Sequence, residues 1–321
     1  MILTGNNKQM FTDVALEYDI RISEFRPDIE IAGSPERSEL RTVIEDTDKR
    51  LYVLECVFDE DVVKKKNIAS YLTFLSEKNI PEINPYLSTE ARDSLAFSQD
   101  RFWMVSPYIK GVQLNRPDYV FEKWRGKTLA DFLATLKENS GELLRQNRDQ
   151  PFSIVDYIYK LISDINANDP QVIPDIKPFI DFLERDFMDH HDKLPLSFCH
   201  GDYHPVNIIW GDTAINAVID WEFSGVKPEV YDLANLIGCL GMENPDCLGG
   251  ELVCDLISTL CLSEYMAPVS WKNLVPFIVA IRFAWLSEWL RRRDTEMIEL
   301  ETMYMKILTE NVERLEEVWC V

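Results

Sequence analysis

Two aspartates and one asparagine within residues 198–222 have types and spacing that could act together in one site. Asp202 and Asn207 lie five residues apart in a segment that also carries His200 and His204, and Asp220 follows a short apolar run. A carboxylate can accept the proton of a hydroxyl group as its oxygen attacks an electrophile. Carboxamide and carboxylate oxygens are ligands that Mg²⁺ prefers. One aspartate for the hydroxyl group, with Asn207 and Asp220 for the metal, is the division of labour that phosphoryl transfer requires.

The residues before this segment predict a small antiparallel sheet. The patterns over 29–33, 40–44, 51–58 and 102–109 are typical of strands separated by polar turns. Residues 10–18 and 59–78 have apolar residues at helical spacing. Pro107 stops regular strand pairing, so we place a boundary there. The first predicted lobe is therefore 1–107.

The residues after the boundary predict a mainly helical lobe, 108–321. Apolar residues recur at helical spacing in seven segments, namely 128–137, 152–165, 176–189, 231–240, 250–262, 271–293 and 295–318. The segment with Asp202 and Asp220 interrupts them and predicts a loop followed by a strand, a turn and a second strand. The sequence thus predicts an α+β protein of two lobes in which a hairpin carries the polar residues.

Composition excludes several classes of partner. The chain has 321 residues and a formal net charge of −22, which argues against binding to nucleic acid or to an anionic membrane surface. It permits a cationic partner or substrate, although the general solubility of an acidic cytosolic protein is the favoured explanation of the charge. Seven cysteines without CxxC spacing indicate reduced thiols. The first residues lack signal-peptide character and no apolar run approaches the roughly 18–20 residues of a membrane span, so we expect a cytoplasmic protein.

Three segments, taken together, resemble one known group of proteins. They are His200-Gly201-Asp202-x-His204-Pro205-x-Asn207, then Val218-Ile219-Asp220-Trp221-Glu222, then Tyr231-Asp232-Leu233-Ala234. This combination is similar to the aminoglycoside phosphotransferase and choline kinase-like superfamily, whose members share the bilobal protein-kinase-like fold. The resemblance implies a kinase that uses ATP (or GTP) and Mg²⁺ to phosphorylate a hydroxyl group of a small molecule.

The resemblance also implies roles for individual residues. Asp202 is the implied catalytic base, Asn207 and Asp220 are the implied Mg²⁺ ligands, and Asp232 is an implied buried support for the catalytic loop. Gly33 and Ser34 fall in the loop expected to bind the nucleotide. The backbone of Ser106, Pro107 and Tyr108 is the expected hinge that hydrogen-bonds the adenine. The acceptor is expected to be a small molecule, and no pattern specifies an oligomeric state.

Glu55 departs from the pattern of this superfamily. The third strand should carry a lysine that contacts phosphates, in a position that Glu55 occupies here. A carboxylate ~4 Å from a phosphate would cost on the order of 4 kcal/mol per unit charge at an effective dielectric constant near 20. Three interpretations are open. The basic group can come from the next helix (Lys64, Lys65 or Lys66), it can be Arg50 or Arg37, or the protein can be an inactive or weak nucleotide-binding pseudokinase.

Two further patterns allow alternatives. His200, Asp202 and His204 have the residue types of a metal-dependent hydrolase, although the only other histidines, His190 and His191, lie on a polar helix end. Trp285 and Trp289, with Glu288 and Arg282, are typical of a helix with a buried face, and in this superfamily late helices line the acceptor cleft. An aromatic and acidic wall for a cationic acceptor, which Trp221 and Glu222 would share, is the functional alternative to a structural role.

Overall fold

The structure, a computed structural model, describes residues 5–33, 35–147 and 151–321. The strands in these residues are β1 (Ile22–Phe25), β2 (Leu40–Asp46), β3 (Leu51–Val57), β4 (Ala96–Ser98), β5 (Arg101–Pro107), β6 (Leu196–Cys199), β7 (Ile208–Trp210), β8 (Ile215–Val218) and β9 (Gly225–Pro228). The helices are α1 (Gly5–Glu17), α2 (Val62–Glu77), α3 (Lys123–Asn139), α4 (Gly141–Gln146), α5 (Ile154–Asn168), α6 (Ile173–Glu184), α7 (Phe187–His190), α8 (Tyr231–Glu243), α9 (Glu251–Leu262), α10 (Pro268–Lys272), α11 (Leu274–Arg292), α12 (Thr295–Glu310) and α13 (Val312–Trp319).

The first of two compact units contains Met1–Gln113 and Val206–Glu222. Its five-stranded antiparallel sheet has the order β1-β2-β3-β5-β4. Apolar side chains of α1 and the sheet, including Phe11, Leu54 and Trp103, form its core. The β7–β8 hairpin joins this unit through the amide of Val218, which donates to the carbonyl of Glu82 at 2.9 Å.

The second unit contains Leu114–Pro205 and Phe223–Val321. Helix α3 packs against α9, and α11 packs against α8 and α12. The strands β6 and β9 pair antiparallel, so they bring the start of the loop at 200–205 next to the chain that leads into α8. No helix among the described residues is long and apolar enough to cross a bilayer.

The α+β fold class and the antiparallel first sheet are confirmed. The strand predicted over 29–33 is wrong, because the first strand is β1 at Ile22–Phe25. Carbonyl groups of residues 31–33 instead accept hydrogen bonds from the Arg41 side chain. The helix predicted over 295–318 divides at Asn311 into α12 and α13. The boundary of a nucleotide-binding lobe at residue 107 stays a prediction, since compactness does not define such a lobe.

Candidate active site

The first turn of α8 holds the loop that carries Asp202. The carboxylate of Asp232 accepts hydrogen bonds from the backbone amides of His200 at 2.7 Å and Gly201 at 2.8 Å. Asp232 is 1% exposed, and burial raises its pKa to about 6. Charge-assisted bonds of this kind are shorter and stronger than bonds between neutral groups. The structure therefore gives Asp232 the loop-supporting contacts expected from the sequence.

Gly201 fits its place because it has no side chain. Its φ angle is +83°, in the left-handed region that favours glycine. A Cβ atom at this position would lie 2.0 Å from the carbonyl oxygen of Phe223 and 2.7 Å from Cε of Lys227. The close backbone approach and the two bonds to Asp232 together fix the direction in which the chain enters Asp202.

Both histidines of the loop lie beside Asp202. The amide of Asp202 donates to Nδ1 of His200 at 3.1 Å, and His200 is fully buried. Nε2 of His204 lies 3.5 Å from Oδ1 of Asp202, whose side chain is 18% exposed. His200 therefore contacts the loop backbone, as expected of a structural histidine. The Asp202 carboxylate remains partly accessible, which a group that meets a substrate requires.

Aromatic residues of α11 pack next to this loop. The ring of Trp285 lies edge-on to His204 with centroids 6.0 Å apart, and it stacks on Trp289 at 6.0 Å. The indole N–H of Trp285 donates to Oδ1 of Asn235 at 3.3 Å, and the Asn235 amide donates to the carbonyl of Tyr203. Asn235 was not predicted from the sequence, although it lies three residues after Asp232 on one helix and so faces the same loop.

The acidic part of the expected wall is engaged in ion pairs. Arg291 lies at 2.7 Å and Arg292 at 2.5 Å from the carboxylate of Glu288. Hydrogen bonds from the two arginines, above all from Arg291, lower the pKa of Glu288 to about 2. Arg282 is 2% exposed and forms a bidentate pair with the fully buried Glu301. Glu288 and Arg282 therefore have clear structural partners.

The first unit brings Asn207 and Asp220 together at one end of the β7–β8 hairpin. Ile208, which follows Asn207, pairs with Val218, which lies two residues before Asp220. The amide of Ile219 donates to the carbonyl of Asn207 at 3.0 Å. Asp220 has a φ of +63°, a backbone conformation that is uncommon outside glycine and is enriched at functional sites. The hairpin thus places Asn207 and Asp220, two buried side chains with oxygen atoms that can ligate a metal, at the same end of two neighbouring strands.

A pocket in the first unit gathers most of the residues expected to bind a nucleotide. Gly33, Ser106, Pro107 and Tyr108 line it, and so does Asp220, an expected metal ligand. Ser34 lies outside the described residues. Asn207 is not among the described residues of the lining. The pocket therefore joins the expected hinge to one expected metal ligand within a single compact unit.

The expected hinge, residues 106–108, has fewer available backbone groups than predicted. The amide of Tyr108 donates to the carbonyl of Leu51 at 2.9 Å, and Pro107 has no amide hydrogen. The side-chain amide of Asn84 donates to the carbonyl of Pro107 at 2.9 Å, which leaves that oxygen a second lone pair. Ile109 also lines the pocket, and none of the described residues accepts a hydrogen bond from its amide. Neither Asn84 nor Ile109 was predicted from the sequence.

Glu55 lies in the same pocket and has basic neighbours. It is partly buried, and this burial raises its pKa in spite of the positive charges of Lys65 and Arg41. Nζ of Lys65 lies 2.5 Å from Oε1 of Glu222, and Nζ of Lys64 lies 3.0 Å from Oε2. Burial alone would raise the pKa of Glu222, but these two lysines outweigh it and lower the pKa.

Three solved structures are similar to this chain along nearly its whole length. An aminoglycoside phosphotransferase from Alicyclobacillus acidocaldarius is 14% identical, with a TM-score of 0.64 and 98% of each chain covered. A spectinomycin phosphotransferase in complex with ADP and spectinomycin is 18% identical, with a TM-score of 0.59 and 96% of this chain and 98% of that chain covered. Amicoumacin kinase in complex with AMP-PNP and Ca²⁺ is 11% identical, with a TM-score of 0.64 and 95% and 94% covered. These likenesses show the fold.

The sequence comparison identifies the family. The model of the phosphotransferase enzyme family matches residues 36–253, more than half of the chain. No curated protein sequence matches. The family match and the shared fold confirm the resemblance that residues 200–207, 218–222 and 231–234 predicted. They also confirm the predicted class of enzyme, a small-molecule phosphotransferase.

Proposed function

Because this chain belongs to the phosphotransferase enzyme family, we propose that it transfers the γ-phosphate of ATP (or GTP) to a hydroxyl group of a small molecule, with Mg²⁺ as cofactor. The observation that carries this proposal is the pocket of the first unit, where the hinge residues Ser106–Ile109 and Asp220 line one cavity. A nucleotide needs backbone groups for its base at one end and a metal ligand near its phosphates at the other. This lining supplies both.

The hinge supports adenine binding through two backbone groups. Pro107 offers the remaining lone pair of its carbonyl oxygen, and Ile109 offers its amide hydrogen. The Pro107 carbonyl is an acceptor and the Ile109 amide is a donor. They can therefore pair with the amino group and the ring nitrogen on one edge of adenine. We therefore assign the base contacts to Pro107 and Ile109, with Tyr108 held in the sheet by Leu51.

The residues at the end of the β7–β8 hairpin fit a magnesium ion. Asn207 and Asp220 present a carboxamide and a carboxylate, both buried, and Mg²⁺ usually binds one or two such ligands together with substrate phosphates and water. Bound there, the ion would offset the negative charge of the phosphate oxygens. Arg37, whose Nε lies 3.6 Å from Oδ1 of Asp220, keeps that carboxylate partnered by positive charge.

Asp202 is the proposed base for the acceptor hydroxyl. Its backbone is fixed by the bonds from His200 and Gly201 to Asp232, while its carboxylate stays 18% exposed. A positioned general base contributes typically 10²- to 10⁴-fold to a rate. In this arrangement Asp202 orients the hydroxyl group and accepts its proton as the oxygen attacks the γ-phosphorus.

The acceptor is proposed to be a small hydroxylated and cationic molecule. The net charge of −22 favours the approach of cations over anions. Similar solved structures are complexes with spectinomycin, kanamycin or gentamicin. These three compounds are the first acceptors to test. We also propose a cytoplasmic location, which the seven free thiols support.

A pseudokinase is the second candidate, and Glu55 is the observation that favours it. A carboxylate inside the pocket repels phosphate unless basic groups outweigh it. The two candidates differ in turnover. The test is an ADP-release assay with ATP and Mg²⁺ over a panel of aminoglycosides, amino alcohols and sugars, with Asp220→Asn as control. Acceptor-dependent ADP release that Asp220→Asn abolishes supports the kinase, whereas ATP binding without release for any acceptor supports the pseudokinase.

A further inference from the structure

Three consecutive lysines of α2 have three different surroundings. Successive residues of a helix point about 100° apart, so Lys64, Lys65 and Lys66 face different directions. Lys64 is 43% exposed at its side chain and pairs with Glu222. Lys66 is 48% exposed and pairs with Asp93 at 2.8 Å. Lys65 is only 7% exposed at its side chain, and of the three it alone is among the described residues that line the pocket.

The arginines near the sheet, Arg37, Arg41 and Arg50, make other contacts. Arg41 donates to the carbonyls of Ile31 and Gly33 at 3.3 Å, and so it braces the loop between β1 and β2. Arg50 lies in the β2–β3 turn, exposed, beside Asp48. Arg37 lies beside Asp220. These contacts leave Lys65 as the buried basic group that shares the pocket with Glu55.

We propose that Lys65 contacts the phosphates of the nucleotide, in place of the strand lysine whose position Glu55 occupies. The inference rests on the proposed function, because it assumes that a nucleotide binds in this pocket. The basic group would then come from helix α2 and not from strand β3. Lys65 and Glu55 both line the one cavity.

The arrangement of Glu222 allows Lys65 to serve a phosphate. Glu222 is shared by two lysines, with Lys65 on Oε1 and Lys64 on Oε2. When Lys65 turns to a phosphate oxygen, Lys64 still neutralises Glu222. The described lining holds three cationic side chains, Arg37, Arg41 and Lys65, against three carboxylates, Glu55, Asp220 and Glu222. The protein charges of the lining thus balance, and removing Lys65 would leave the phosphates facing a net negative wall.

Nucleotide binding to the full chain separates this role from a structural one. Lys65→Gln should weaken ADP binding by about 10- to 100-fold, the range expected for a lost hydrogen bond to a charged group, and should leave adenosine binding unchanged. Lys66→Gln is the matched control and should change neither. Calorimetric titration gives both affinities. An equal loss for ADP and adenosine, or no loss for ADP, would overturn the proposal.

A second measurement uses the unsubstituted protein and so does not depend on the folding of a variant. The probe is an acyl phosphate of ADP, which binds as the nucleotide does. The Nζ amine of a lysine beside its phosphates attacks the acyl carbon. An amide forms, the acyl–oxygen bond breaks, and ADP and a proton leave. Peptide mass spectrometry should find the acyl group on Lys65, and excess ADP should suppress it. Labelling of Lys64 or Lys66 without Lys65 would overturn the proposal. Failure to bind either ADP or adenosine would contradict the proposed function instead.

Discussion

Replacing Gly201 with alanine should disturb both the stability of the protein and the position of Asp202. The new Cβ would lie 2.0 Å from the carbonyl oxygen of Phe223, about 1 Å short of the closest approach that such atoms make. Neither atom belongs to a side chain that can rotate away, so one stretch of backbone must move by that amount. A hydrogen bond of 2.8 Å from Gly201 to Asp232 would then lengthen beyond hydrogen-bond range.

The magnitude follows from these two effects. A non-glycine residue in the left-handed region costs roughly 1–2 kcal/mol, and loss of a hydrogen bond to a charged group costs roughly 1.5–3 kcal/mol. The free energy of unfolding should therefore fall by about 3–5 kcal/mol, which typical stabilities of about 5–15 kcal/mol can absorb. A displacement of about 1 Å at Asp202 should also lower turnover by about 100-fold.

Urea unfolding followed by tryptophan fluorescence measures the first effect, and acceptor-dependent ADP release measures the second. Gly249→Ala is the matched control, because a Cβ there would meet open space, and it should stay within about 0.5 kcal/mol of the parent. A Gly201→Ala variant with the unfolding midpoint and turnover of the parent would refute the reasoning that close backbone packing fixes the loop.

Three further predictions concern groups with defined partners. Arg282→Met leaves the buried Glu301 without its cationic partner and should lower the free energy of unfolding by about 3–5 kcal/mol in urea titrations; a loss below 1 kcal/mol would contradict this. Asn84→Ala removes the bond to the carbonyl of Pro107 and should weaken ATP binding by up to about tenfold in calorimetry, while unchanged affinity would argue against a hinge role. Burial raises the pKa of Asp232 to about 6, so the folded protein binds a proton between pH 4 and 6 that the unfolded chain releases; the free energy of unfolding should fall by about 2–3 kcal/mol over that rise in pH, and Asp232→Asn should remove this component.

The loop that carries Asp202 was predictable because its information is local. Asp202, Asn207 and Asp220 lie within 19 consecutive residues whose types specify a loop and a hairpin. The support from Asp232 was also predictable, since it was carried by the resemblance. The departure at Glu55 followed from the resemblance together with the strand pattern of residues 51–58, and β3 confirms the strand.

The missed features depend on tertiary packing. The choice among Lys64, Lys65 and Lys66 depends on the rotation of α2, which packing of its buried face sets. Asn84 lies in an irregular connection, where no helical or strand periodicity predicts which residue its side chain contacts. The alternation over 29–33 is typical of a strand, yet those carbonyls bond to the Arg41 guanidinium rather than to a neighbouring strand.

Transfer of phosphate by an Asp202→Asn variant tests the central claim most directly. The carboxamide keeps the size of the side chain but cannot accept the acceptor's proton. With an acceptor identified by the panel, single-turnover transfer from ATP should slow by about 10²- to 10⁴-fold, while calorimetry should show ATP affinity within about twofold of the parent. A variant that transfers phosphate at the parent's rate would contradict the assignment of Asp202 as the base.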